Sequence, residues 1–99
     1  MASEYSFTAE LWEHDGMASW HFVSLPEEVA DEIEELYAHR ANGFGAVRVQ
    51  VTIGASRWST SVFPDKARRT YVLPVKKPIR LAEELTAGSP VRVELAVAI

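Results

Sequence analysis

Residues 71–85 read YVLPVKKPIRLAEEL, and this stretch holds both kinds of element from which the chain is built. Residues 70–75 are rich in β-branched and aromatic side chains, the composition of a short strand. Pro78 then opens a short helix to Leu85, because its missing N–H costs nothing in a first helical turn. Gly88-Ser89-Pro90 ends the unit. The same order stands earlier in the chain, in FVSLPEEVADEIEEL (residues 22–36). Laid over one another without a gap, the two stretches match Val23 with Val72 and share the ending EEL. Downstream, VRVQV (47–51) lies over VRVEL (91–95), with a shorter linker in the second copy.

Working outward, Tyr5, Phe7, Ala9 and Leu11 alternate with Ser6, Thr8, Glu10 and Trp12, the period of a half-covered strand. A turn at Glu13-His14-Asp15-Gly16 leads to a second strand over 18–25, with Trp20 and Phe22 on one face and His21 and Val23 on the other. Pro26 opens an acidic helix whose stripe is Val29, Ile33, Leu36 and Tyr37, and Asn42-Gly43 supplies its stop. Strands follow over 47–53, 57–63 and 91–97, besides 70–75. The order is ββαβ twice, with pseudo-repeats at about 5–53 and 57–98. Six short strands leave exposed edges unless the sheet closes. The expectation is therefore a mainly β fold, one six-stranded β-barrel with two helices, filling residues 1–99 as a single domain. Tyr5, Phe7, Trp20 and Phe22 are expected in the core, since small barrels are filled by side chains. Trp12 and Trp58 fall on outer or opposite faces.

Composition narrows the classes of function. The chain has no cysteine, so it has neither a disulfide framework nor thiol chemistry, which suits the cytoplasm. No basic segment leads into an apolar run at the N-terminus, so no signal peptide is expected. No apolar stretch approaches the roughly 20 residues of a bilayer span, so no membrane partner is expected. The net charge of −4 conceals a polarity. Residues 1–45 hold ten acids against Arg40, a net of −9, while residues 57–80 hold seven bases against Asp65, a net of +6.

Those seven bases, Arg57, Lys66, Arg68, Arg69, Lys76, Lys77 and Arg80, together with Trp58, form the candidate binding surface. One reading is an anion or nucleic-acid site, with backbone N–H groups at the Pro78 helix start adding to the side-chain charge. The other is a solvated basic face that pairs with acids elsewhere in the chain or on a second copy. In the alignment Glu27-Glu28 stand where Lys76-Lys77 do, so nucleic acid would meet repulsion from the acidic copy. The overall negative charge acts against it too. No catalytic constellation, metal set or cofactor motif is read. His14, His21 and His39 lack metal-ligand spacing, and Ser59, Thr60 and Ser61 lack a nucleophile elbow. The function expected is a non-catalytic binding or interaction module whose partner is a protein, a small anionic ligand or a second copy. The alternatives are a nucleic-acid-binding regulator, and an enzyme with a cleft that the pattern does not reveal.

The runs VRVQVTI, RWSTSVFPD, YVLPVKKPIRLAEEL and AGSPVRVELAV resemble the family catalogued as domain of unknown function nineteen-oh-five. Trp20-His21-Phe22-Val23 followed by Leu25-Pro26-Glu27 is similar to its N-terminal signature. The resemblance implies a double-split β-barrel, a fold shared with the swapped-hairpin dimers of AbrB and MazE, and it brings no catalytic residues. Where the family favours glycine before Tyr71, this chain has Arg69-Thr70.

Overall fold

The computed structural model describes residues 4–16, 19–40 and 45–99. Its strands are β1 (Glu4–Glu13), β2 (His21–Ser24), β3 (Val47–Ile53), β4 (Ser56–Asp65), β5 (Thr70–Pro74) and β6 (Pro90–Val97). They close into a barrel in the order β1-β2-β5-β4-β3-β6, every pair antiparallel. Two helices, α1 (Glu27–Tyr37) and α2 (Lys77–Ala82), interrupt the strands, and a 3₁₀ turn at Ala38–Arg40 extends α1. The expected start of the second strand at Ala18 and the helix stop at Asn42-Gly43 lie outside the described residues.

Alternation along each strand sends one set of side chains inward. Phe7 and Leu11 of β1, Val23 of β2, Val47 to Ile53 at every second residue of β3, Leu73 of β5, and Val91 and Val93 of β6 belong to one buried cluster. Trp20 and Phe22 do not join it. Phe22 pairs with Trp12 and Pro74 across β1, β2 and β5, and cross-strand partners share a face. That face is the outer one. The next row outward is Ser24, Val72 and Phe63. Phe22 lies 5.0 Å from Trp12 and 6.0 Å from Trp20, and Trp20 is 47% exposed. The alternation of the second strand was therefore read correctly and its inward side was not. Six strands enclose too little space for two more large rings beside Val23, Leu11 and Leu73.

The barrel order has a further property: exchanging β1 with β4, β2 with β5 and β3 with β6 leaves every neighbour relation unchanged. Backbone bonds follow suit, since Leu25 N–H donates to Tyr71 O and Val75 N–H donates to His21 O. Corresponding residues in these bonds are 50 apart. The gap-free sequence match needs a spacing of 49, and it fails structurally, because Val23 faces into the core cluster whereas Val72 stands in the outer row with Ser24 and Phe63, buried outside that cluster. A slip of one residue turns a strand's side chains over.

The helices cover opposite mouths. Near the start of β1, Tyr5 is hydrogen-bonded to Glu32 of α1, whose Ala30, Ile33 and Tyr37 are buried. Toward the end of β1, Leu11 exchanges backbone bonds with Ser89 and Gly88, downstream of α2, while Ile79 and Leu85 pack on the cluster. Replacing Leu73, which is fully buried, with alanine should lower unfolding free energy by about 2–5 kcal/mol in denaturant titration. Burial, and then the Glu32 carboxylate and Tyr37, hold the Tyr5 phenol well above its ordinary 10.0. The unfolded chain releases that proton first, so the stabilisation is complete below pH 10.0 and is lost as pH rises beyond it. Tyr5→Phe should therefore flatten the alkaline decline of thermal midpoint relative to the unmodified chain.

Candidate functional site

The eight residues singled out by sequence do not share one surface. β4 carries Arg57 near its first residue and delivers the chain to Lys66 after its last, so these lie about 30 Å apart along an extended strand. Arg57 sits on the outer face opposite Thr52, in a shallow cavity of about 310 Å³ that also holds Glu4 and Glu94. Trp58, opposite Val51, turns inward and packs on the core, and its Nε1 is buried with no hydrogen-bond partner among the described residues.

At the other end of β4, the turn to β5 is fastened by Asp65, whose carboxylate accepts from the Arg68 N–H and from its guanidinium, each at 3.1 Å. That guanidinium lies 3.8 Å over the Trp12 ring, a cation–π contact on the outer aromatic face. Arg69 adopts φ 58, a conformation that glycine takes without strain. Lys66 and Arg69 border a cavity of about 270 Å³ whose opposite side carries Asp31 and Glu34 of α1. Tyr71 also lines it, its phenol pushed above the usual range by burial and secondarily by Glu34. In both cavities cations and carboxylates share the lining, and no ion pair joins them among the described residues.

Lys76, Lys77 and Arg80 border a third groove, of about 340 Å³. β4 pairs with β5 only over Phe63 to Asp65, so the two strands part beyond that point and α2 covers the gap. Trp20, Phe63 and Pro74 bring the outer aromatic face to the groove, while His21, Thr60 and Val75 reach it from the inward-facing set. His21 Nδ1 is buried without a partner among the described residues. No Asp or Glu lines the groove. It is the cavity of the three in which positive charge stands unanswered.

The helix start contributes little beyond side chains. Pro78 has no N–H, and the N–H groups of Ile79 and Arg80 both donate to Lys76 O. The Arg80 guanidinium donates to Val75 O at 2.7 Å and so ties α2 to the end of β5. Lys76 and Lys77 are exposed, and their ammonium groups carry no hydrogen bond or ion pair among the described residues. His21 and Thr60 escaped the sequence reading as site residues. The available signal was phase: each is a polar residue in step with an inward valine, Val23 or Val62. Among the described residues, no group of three or more His, Asp or Glu side chains is placed to hold a metal ion.

The far side of α2 is anchored by Glu83, which accepts from the Ser56 hydroxyl at 2.7 Å beside the β3–β4 turn. The turn residue Gly54 has φ +58, and a Cβ there would overlap the Glu83 carboxylate. Gly54→Ala should accordingly destabilise the chain by about 1–3 kcal/mol. It should also broaden or shift the amide resonances of residues 77–83 in solution spectra.

No curated protein matches the chain in sequence. The family model described as Domain of unknown function (DUF1905) matches residues 7–95, about nine-tenths of the chain. The closed β-barrel with its groove beside α2 thus belongs to a member of the DUF1905 family.

Proposed function

We propose that the chain is a non-catalytic binding module and that its binding surface is the groove between α2 and the diverging strands β4 and β5. One observation carries this reading: the groove combines exposed aromatic walls with Lys76, Lys77 and Arg80, and no carboxylate lines it. An anionic occupant is the complementary one, since charge of one sign over low-dielectric walls concentrates ligands of the other. Cavities of about 300–1,000 Å³ with mostly apolar walls and a few polar groups are typical of small-ligand sites. Among the residues lining this one, His21 is the sole imidazole and has no carboxylate to work with as an acid–base pair. A cytoplasmic location belongs to the same reading.

Nucleic acid is the second candidate, favoured by the outer rings Trp12, Phe22 and Trp20 near Arg68. The disposition of the bases argues against it. Arg68 is paired with Asp65, Lys66 and Arg69 face Asp31 and Glu34, Arg57 lies among Glu4 and Glu94, and Arg80 is tied to Val75. Carboxylates beside these bases repel phosphate, so the expected salt dependence is shallower than that of a dedicated binder.

Amide spectra recorded at low ionic strength with inorganic phosphate, citrate, an acidic peptide and mixed-sequence DNA test the proposal. The small anions or the peptide should shift residues 76–80, and the double substitution Lys76→Glu, Lys77→Glu should abolish those shifts. Silence from every anion at low salt would overturn the binding role. A DNA salt slope steeper than about −5 would transfer the function to nucleic acid.

A further inference from the structure

The groove beside α2 is asymmetric in a way that defines its occupant more closely than charge does. Its walls are rings: Trp20 is 47% exposed and Phe63 40%, with Pro74 near them on the outer face of β5. Trp20 also stacks on Phe22, which continues to Trp12, so the exposed indole is the open end of an aromatic row. Deeper in, His21 Nδ1 is buried without a hydrogen-bond partner, and the Thr60 hydroxyl makes no side-chain hydrogen bond among the described residues. His21 and Thr60 thus add polar side chains to the groove lining. The rim carries Lys76 and Lys77.

Three classes of occupant fit these features unequally. An inorganic anion would satisfy the lysines and leave both rings in water. A neutral apolar molecule would cover the rings, and the lysines would gain nothing. A planar molecule with an acidic group does both, because an aromatic ring packs favourably against indole and phenyl surfaces while its charge reaches the rim. A space of about 340 Å³ accepts one or two fused rings with a short acidic substituent. Resting on the binding role proposed for this groove, we infer that its ligand is a small aryl anion. Its ring lies against Trp20 and Phe63, and its negative group meets Lys76 and Lys77.

Calorimetry and amide spectra with 2-naphthoate, its uncharged counterpart 2-naphthylmethanol and inorganic phosphate test this assignment. Naphthoate should bind with shifts centred on Trp20, His21, Thr60 and Lys76, and the alcohol should bind about tenfold more weakly or worse. Trp20→Ala and the pair Lys76→Ala, Lys77→Ala should each weaken naphthoate by about tenfold. All three positions are exposed, so the thermal midpoint should change little and a folding defect is separable. Equal binding of the alcohol, or naphthoate shifts mapping away from the groove, would overturn the aryl anion. If phosphate perturbs residues 76–80 while naphthoate does not, the aryl inference falls and the anion-binding role stands. If both leave the groove unchanged, both readings fall.

Discussion

The narrow interior of a six-stranded barrel constrains everything else in this protein. Each strand sends every second side chain into a space filled mostly by valine and leucine, as Val23, Val49, Val51, Val93, Leu11 and Leu73 show. Close-packed interiors have no room for further bulk without strain. Aromatic residues that would form the core of a larger domain are therefore pushed outward, and Trp12, Trp20, Phe22 and Phe63 gather on the outer face of β1, β2, β5 and β4. Phe7 and Tyr71 do turn inward, and so does Trp58. Its indole nitrogen is left buried and unbonded among the described residues, which shows how little freedom the interior allows.

Closing the sheet removes its edges, and the two mouths are then covered by helices of opposite charge. α1 brings its acids to the cavity beside the β4–β5 turn, where Asp31 and Glu34 share the lining with Lys66 and Arg69. α2 has no such counterpart. Arg80 and Glu83 are spent on fixing it, to Val75 and Ser56, and the lysines before them face open space. The groove's character follows from these placements: rings excluded from the core on one side, cations without acids on the other, and an imidazole stranded between.

Much of this was legible in the residue pattern, because alternation and turn chemistry are local. The six strands, the two helices and the charge polarity all follow from neighbours a few positions apart. The side of a strand that faces inward is a global matter. The pattern of residues 18–25 fits a strand with Trp20 and Phe22 inside as well as one with Val23 inside, and ring size favoured the former. The gap-free match of residues 22–36 with residues 71–85 failed for a related reason. Shared hydrophobicity aligned Val23 with Val72, although the backbone bonds relate residues 50 apart. The seven bases also looked like one surface only because they are close in sequence. A ten-residue strand carries the first of them away from the turn that holds the next three.

The amino-acid sequence by itself determined the elements, their order, the closed mainly β architecture and the sign of charge on each helix, since these depend on backbone preference and short-range periodicity. Only the tertiary structure decided which bases stand beside acids and which are left over, because that depends on distance across the barrel. It also selected His21 and Thr60 as groove residues: their place is set by where β4 and β5 separate, and that separation depends on the closure of all six strands.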